Sequence, residues 1–470
     1  MPAKARVFSL WAVASRAGRI SPGRFSSDAI GIREGGVALQ IGSQKNVCGQ
    51  RRIELSESRM DGRAPTDGSS TVGNSGTSAP RRLEWLDALR GWAVFAVVAV
   101  HSGEAAHSTG IVSKVVFAGQ YGVQLFFLVS ALTISITYDS HIERYGKSAM
   151  SQLSWLTKRF FRIAPLYYIA ALFYPAEKYV VYVLSHHRYG WELNPLNILA
   201  NLLFIHTWVP SANNSVVPGG WSIGVEMFFY ALVPLIWLVV PTRRRAVYLC
   251  IGAGTCLLAT FLVSKAFTGS FYVPNSSYLY YWFPSQAPVI LFGLVFYFNY
   301  RAKLGSPTKL RTAASCFAGF LVLLVLALYC GTGGEAAPVL APTILGVAFI
   351  LLVLSLHAGI KSLVVSRFAV FLGKISYSVY IVHFLVLELI LVVIRAAHID
   401  RSGPLVVVPI FVLALVLASG LALISKRVIE DPAIACGHRL CHRLALRAIA
   451  TEAARQPSNE HDERVSAGPS

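Results

Sequence analysis

Long apolar segments separated by short polar loops are the feature that most limits what this chain can fold into. A helix that crosses a bilayer needs about 20 mostly apolar residues. Only 14% of the 470 residues are charged and the mean hydropathy is +0.55, which disfavours a soluble protein of this size. Because lipid leaves no solvent partner for the backbone, we predict an all-α, polytopic membrane protein with about ten transmembrane helices. The predicted segments lie near 88–105, 118–138, 163–184, 222–240, 246–264, 283–299, 313–330, 339–356, 369–394 and 404–425.

Loops rich in Lys and Arg alternate with loops that lack them. The loop after the fifth segment has one lysine, and the loop after the seventh carries only Glu335. This alternation predicts that both termini are cytoplasmic. It also assigns the net charge of +19 to cytoplasmic loops facing membrane lipid, with no nucleic acid as partner. The loop with Arg395 and Arg401 fits less well. The basic residues that follow the even-numbered segments are Lys158, Arg159, Arg162, Arg243, Arg244, Arg245, Arg301, Lys303, Lys309, Arg311, Lys361, Arg367, Lys426 and Arg427.

The ends of the chain differ in composition from its middle. Residues 1–80 are rich in Ser, Gly, Pro and charge, which predicts a disordered N-terminal extension. Residues 83–432 form the predicted membrane domain, and 433–470 a cytoplasmic tail. The cysteines and histidines of that tail match no zinc spacing, so we expect no metal. In the longest loop, 185–221, the stretch "NPLNILANLLFIHTW" has helical periodicity and predicts an amphipathic or re-entrant helix at the outer interface.

Ionisable residues lie within the first segment and just before the third. His101 follows Arg90 by eleven residues, a helical rise of about 16 Å, which places the imidazole near the middle of the bilayer. Polar groups there are costly and tend to be functional, although a histidine that bonds a neighbouring helix is the alternative. Arg159 and Arg162 lie one turn apart and suit phosphate binding. The simpler interpretation of these arginines, and of Arg90, is an interfacial anchor.

Two further polar clusters lie in the fourth and ninth segments. In "GGWSIGVEMFFY", Ser222 comes directly after Trp221, and Glu226 follows Ser222 by one turn. A carboxylate in an apolar helix can hold an imidazole or orient a hydroxyl, or be a paired structural group. In "GKISYSVYIVHF", Tyr380 and His383 share one helical face. Here polar contacts between helices are as good an explanation as a substrate site.

Taken together, these segments resemble a known family. "LDALRGWAVFAVVAVH", "GVQLFFLVSALTIS", "RFFRIAPLYY", "WSIGVEMFFY" and "ISYSVYIVH" occur in the order seen in the acyltransferase-3 family, the integral membrane O-acyltransferases of bacterial surface and secreted carbohydrates. The resemblance covers residues 83 to about 432, and the Arg90–His101 spacing is its most specific element. Ala131 departs from the glycine usual in the family, which affects close packing rather than chemistry.

The resemblance implies transfer of an acyl group, with acetyl the expected one, from cytoplasmic acyl-CoA to a carbohydrate hydroxyl. The acceptor would be lipopolysaccharide, exopolysaccharide or a similar glycan, and the location the bacterial inner membrane. His101 would act as general base or accept the acyl group itself. Arg90 would hold the coenzyme or screen charge on the thioester. Glu226 would either orient His101 or bind the sugar.

The remaining candidates divide between the two substrates. Arg159 and Arg162 would bind the coenzyme phosphates. The acceptor would contact residues on the later segments, namely Trp221, Ser222, Tyr380 and His383. No metal is expected to take part.

A proton-coupled secondary transporter is the alternative function. Ten segments with His101 and Glu226 as a proton relay would fit it. The sequence shows no internal repeat and no pair of broken segments in corresponding halves, which argues against a transporter fold.

The orientation can be tested by labelling from outside the cell. In a cysteine-free background, Ser211→Cys is expected to react with a membrane-impermeant maleimide, because it lies in the predicted outer loop. Arg244→Cys is expected to react only after permeabilisation, since it lies in a predicted cytoplasmic loop. The reverse pattern would overturn the predicted topology.

Overall fold

The computed structural model describes residues 83–184, 194–240, 244–274, 276–301, 310–332, 339–356, 364–399 and 406–455. Within these ranges every regular element is helical and no strand occurs, which confirms the predicted all-α class. The predicted disordered extension, 1–80, lies outside the described residues, as does the end of the predicted tail.

Fourteen α-helices are described, and we number them in chain order. They are α1 (Glu84–Ala105), α2 (Gly110–Phe117), α3 (Gly122–Tyr145), α4 (Ala149–Leu184), α5 (Pro195–Leu202), α6 (Gly220–Val239), α7 (Arg245–Thr268), α8 (Tyr278–Tyr281), α9 (Phe283–Tyr300), α10 (Leu310–Thr332), α11 (Leu340–Ser355), α12 (Arg367–Ala396), α13 (Val407–Ser425) and α14 (Asp431–Arg455).

Seven helical segments of the described chain are long and apolar enough to cross a membrane. They correspond to seven of the ten predicted segments and confirm a multi-pass membrane protein. The other three predicted segments are also helical but do not meet both conditions. The helix α1 carries several charged residues, α4 contains Pro165, Pro175 and the Glu177–Lys178 pair, and α11 has only 16 residues. The count of ten spans therefore stays a prediction.

Direct backbone contact joins α1 to α12. A Cβ atom at Gly91 would overlap the carbonyl of Ala369, and one at Gly373 would overlap the carbonyl of Asp87. Only glycine permits helices to approach this closely in a bundle. At the other side of α1, Gly122 makes the same kind of approach to the backbone of Ala93. The first helix is therefore fixed between α12 and the start of α3.

The long loop before α6 contains the predicted short helix. In α5, Leu196 and Leu199 are exposed while Asn201 is buried and accepts a hydrogen bond from Tyr167 OH at 2.7 Å. The following His206 is fully buried and donates from Nε2 to the carbonyl of Gly220 at 2.9 Å. Burial lowers the pKa of the His206 imidazole, which favours its neutral form. This segment thus fastens the first turn of α6 to α4.

The glycine contacts between α1 and α12 make a stability prediction. Gly373→Ala is expected to lower the free energy of unfolding by about 3 kcal/mol or more, because the added methyl overlaps a carbonyl that the bundle cannot move. Thermal unfolding of purified protein in detergent measures the effect. Gly420→Ala on α13 is the matched control, since nothing lies within 4 Å of the place its Cβ would take and alanine favours helix. Equal melting temperatures for the two variants would contradict the tight contact.

Candidate functional site

One face of α3 holds three ionisable side chains from three other helices. Its hydroxyl residues recur at i, i+3 and i+7, so they lie on one side of the helix. Each hydroxyl bonds a different charged group, which produces a polar column through an apolar bundle. The three bonds run from Ser130 Oγ to Glu226 Oε1 (2.8 Å), from Arg90 Nη2 to Thr133 Oγ1 (3.0 Å) and from Arg159 Nη2 to Thr137 Oγ1 (2.6 Å).

Three arginines and a carboxylate come together in this column. Arg90 and Arg159 interact electrostatically with Glu226 and with Tyr230, whose hydroxyl donates to Glu226 Oε1. Arg162 interacts with Tyr230. No sequence pattern indicated that Glu226 lies beside the arginines. Glu226 lies about two turns into α6, beside Ser130 about two turns into α3, which brings it among the guanidinium groups.

Two of the three arginines have a second contact besides their hydroxyl partner. Arg90 has Asp87 as a second partner, with Nη1 4.0 Å from Oδ1. Arg159 lies 5.3 Å from the centroid of the Trp155 ring, within cation–π range. Arg162 lies one turn after Arg159 in α4, and its side chain is exposed. A set of neighbouring guanidinium groups suits an anion, and phosphate in particular.

His101 lies at the far end of α1 and has a carboxylate partner. Its Nδ1 is 2.9 Å from Glu104 Oε2, and 28% of its side chain is exposed. The carboxylate accepts a hydrogen bond from Nδ1–H, so the other ring nitrogen, Nε2, is the one that can accept a proton. His101 lies in the last turns of α1, which ends at Ala105. Glu104, and not Glu226, orients this ring.

Glu104 was not among the residues predicted from the sequence. The i, i+3 spacing in "HSGE" was the signal available, since such pairs are neighbours on a helix. It was missed because Glu104 occupies the last turn of the apolar segment, where a charged residue usually marks the interface.

His383 stands beside His101. Their ring centroids are 5.4 Å apart, and the ring of Phe384 contacts both, at 4.5 Å from His101 and 4.1 Å from His383. His383 Nδ1 is 2.7 Å from the carbonyl of Tyr380, and since a carbonyl only accepts, Nδ1 carries the proton. Its Nε2 is buried and has no partner among the described residues. Two imidazoles therefore present acceptor nitrogens in one place.

The other residues predicted to contact the carbohydrate lie near His101 and His383. Ser222 Oγ lies 2.7 Å from the Tyr380 hydroxyl, which donates to the carbonyl of Gly219 at 3.0 Å. Trp221 is buried, with its ring 4.8 Å from that of Tyr281. Tyr281 in turn interacts electrostatically with Glu104. These side chains thus collect at the His101 end of the column.

The helix α1 connects the arginines of the polar column to His101. Arg90 and His101 are eleven residues apart on one continuous helix, a rise of about 16 Å. One end offers guanidinium groups to an anion, and the other offers an oriented base. The arrangement suits a long ligand with an anionic head and a reactive group at its far end.

The described residues contain no group of three or more His, Cys, Asp or Glu side chains placed to hold a metal ion. In the tail, Cys441 is buried and donates from Sγ to the carbonyl of Ser154 at 3.4 Å, while Cys436 is exposed. The two thiols therefore face different surroundings.

Comparisons with known proteins agree on the chemistry. A family profile described as "Acyltransferase domain" matches residues 83–423. The ORF330 protein of Acidianus two-tailed virus, whose name proposes an acetyltransferase, is 25% identical over 278 residues, 58% of this chain and 75% of the viral protein. No solved structure matches significantly. The chain therefore belongs to the acyltransferase-3 family and is a multi-pass membrane acyltransferase.

Proposed function

We propose that the protein transfers an acetyl group from cytoplasmic acetyl-CoA to a hydroxyl of a cell-surface or exported carbohydrate. The observation that carries the proposal is the polar column, with three arginines at one end and the His101–Glu104 pair at the other. Coenzyme A has the matching form, because a flexible pantetheine arm separates its phosphates from its thioester. The rise of about 16 Å between Arg90 and His101 suits an arm laid along α1.

The charge pattern orients the donor. A guanidinium group binds phosphate through two parallel hydrogen bonds. Arg159 and Arg162 would therefore hold the coenzyme phosphates, with Arg90 close by. The basic residues near the beginning of α4 support a cytoplasmic position for this end of the helix, on the side where acyl-CoA would be supplied. Both termini are then cytoplasmic, in a bacterial inner membrane.

His101 supplies the proton transfer. Its Nε2 removes the proton from the acceptor hydroxyl while the oxygen attacks the thioester carbonyl carbon. When the carbon–sulfur bond breaks, the same nitrogen returns that proton to the departing sulfur, which gives the ester and a free thiol. Glu104 accepts from Nδ1 throughout and stabilises the imidazolium. Attack by Nε2 itself on the thioester is the other route, with the acyl group carried briefly on His101.

The acceptor would enter at the His101 end. Sugars use hydrogen bonds and aromatic surfaces. The Ser222 and Tyr380 hydroxyls and the Trp221 ring would supply them, together with His383 Nε2, which has no partner in the described part of the chain. Glu226 would act by holding the arginines in place, because it interacts electrostatically with Arg90 and Arg159. Its own hydrogen bonds are to Ser130 and Tyr230. A glycan such as lipopolysaccharide or exopolysaccharide is the acceptor class proposed.

Loss of the base tests the function. In a host lacking the gene, expression of the wild type is expected to add acetyl groups to the cell polysaccharides, detected by mass spectrometry. His101→Ala is expected to lower the rate by about two to four orders of magnitude, the usual contribution of a general base. Glu104→Gln is expected to fall between these, because an amide orients the ring without stabilising its charge.

His442→Ala, at an exposed imidazole on α14, is the matched control and is expected to retain wild-type activity. If His101→Ala is present at normal abundance and its transfer rate falls by less than tenfold, His101 is a helix-packing residue and not the general base. Proton-coupled flux in vesicles without thioester cleavage would instead favour the transporter.

Replacement of Arg90 tests the donor site. Arg90→Ala is expected to raise KM for acetyl-CoA, and Arg90→Lys to restore it only in part, because an ammonium lacks the planar pair of donors. Steady-state release of free thiol measures both variants. Full rescue by lysine would show that only the charge matters, and an unchanged KM in both variants would remove Arg90 from the donor site.

A further inference from the structure

The Nε2 atom of His383 is a hydrogen-bond acceptor that the described part of the protein leaves unused. The His383 side chain is fully buried, and its Nδ1 donates to the carbonyl of Tyr380 at 2.7 Å. In the neutral ring, Nε2 therefore has a lone pair and no proton. This atom is itself buried and has no partner among the described residues. A buried acceptor without a donor is costly, which indicates that a ligand supplies the donor.

A role in helix packing does not account for this ring. A histidine that joins two helices bonds a group on the neighbouring helix. The carbonyl that His383 Nδ1 meets belongs to its own helix, α12, and comes three residues earlier in the chain. This bond fixes the tautomer and holds the ring, but it does not connect α12 to another helix.

In the described part of the chain, three aromatic rings contact His383, and none of them supplies a donor. The hydroxyl of Tyr380 already donates to a backbone carbonyl at 3.0 Å. Phe384 has no polar side-chain atom. The Nδ1 proton of His101 goes to Glu104, so the other nitrogen of that ring is also an acceptor. A ligand is the source of a donor that remains.

The position of His383 beside the proposed base limits where that donor lies on the ligand. The ring centroids of His101 and His383 are 5.4 Å apart, and the ring of Phe384 contacts both. Over so short a separation, a hydroxyl that meets His101 Nε2 and a hydroxyl that meets His383 Nε2 belong on adjacent carbon atoms. Sugar rings carry such pairs of hydroxyls.

We propose that His383 Nε2 accepts a hydrogen bond from a second hydroxyl of the carbohydrate, on the carbon atom next to the one that is acetylated. This rests on the proposed function, in which His101 is the base. The reacting hydroxyl gives its proton to His101 Nε2, and its oxygen bonds the acetyl carbon. The second hydroxyl keeps its proton, and no covalent bond to it forms or breaks. The enzyme thereby selects substrates in which the neighbouring hydroxyl is free.

Two small alcohols that differ in the second hydroxyl test this selection. Acetyl transfer from acetyl-CoA to 1,2-ethanediol and to ethanol is measured as kcat/KM on the purified full chain in detergent, by release of free thiol and by mass spectrometry of the ester. The wild type is expected to prefer 1,2-ethanediol by about tenfold or more, because ethanol leaves the buried nitrogen unpaired. This exceeds the twofold advantage of having two equivalent hydroxyls. 2-Methoxyethanol, whose second oxygen cannot donate, is expected to behave like ethanol.

Replacement of the ring is expected to remove the preference. His383→Leu has no acceptor, so its ratio of the two kcat/KM values is expected to fall to about twofold, and the ratio cancels any loss of activity common to both alcohols. His383→Gln presents an amide oxygen and is expected to give an intermediate ratio, including where the leucine variant does not fold. His398→Asn is the matched control, because this imidazole is exposed just beyond the end of α12 and asparagine tolerates its positive φ. It is expected to keep the wild-type ratio.

Three results would overturn the inference. The first is a wild-type ratio of about twofold, and the second is a wild-type ratio that both His383 variants retain or lose no faster than the rate with ethanol alone. The third is a wild type that acetylates cell polysaccharides but not 1,2-ethanediol, since two adjacent hydroxyls would then not suffice for recognition. Failure of the proposed function is a different result, in which neither alcohol releases thiol from acetyl-CoA and the polysaccharides gain no acetyl group.

Discussion

The close contact of α1 with α12 is the interaction on which the rest of this structure depends. Gly91 and Gly373 let the two backbones touch, and nothing larger fits at either position. Arg90 and His101 belong to α1, while Tyr377 and His383 belong to α12. The Tyr377 hydroxyl donates to the carbonyl of Ile163, directly after Arg162 in the chain. A wider separation of these helices would separate the two imidazoles at one end and remove Tyr377 from the arginine group at the other.

Burial of the charged groups in the polar column is energetically unfavourable in a membrane protein, and their hydrogen bonds offset part of this penalty. Hydroxyls of α3 bond Glu226, Arg90 and Arg159 in turn, so none of these groups faces lipid without a partner. Arg162 is exposed beside the two buried arginines, which fits the proposed anionic donor.

The sequence predicted some relations in the site and missed others for identifiable reasons. Residues on one helix have a fixed spacing, so the separation of Arg90 from His101 followed directly from the chain. From the sequence, Glu226 was one possible partner of His101, whereas in the structure the partner is Glu104. Glu226 belongs with the arginines because α6 lies beside α3, and no pattern within either helix reveals that pairing.

What the sequence by itself determined is the all-α class, the multi-pass character and the identity of the polar residues that interrupt apolar helices. These follow from hydropathy and helical period, which are local properties. Only the tertiary structure decided which interruptions meet: His101 with His383, and Glu226 with Ser130 of α3. The physical reason is that helix contacts in lipid depend on small residues and interhelical hydrogen bonds, whose partners are distant in sequence and leave no periodic signal.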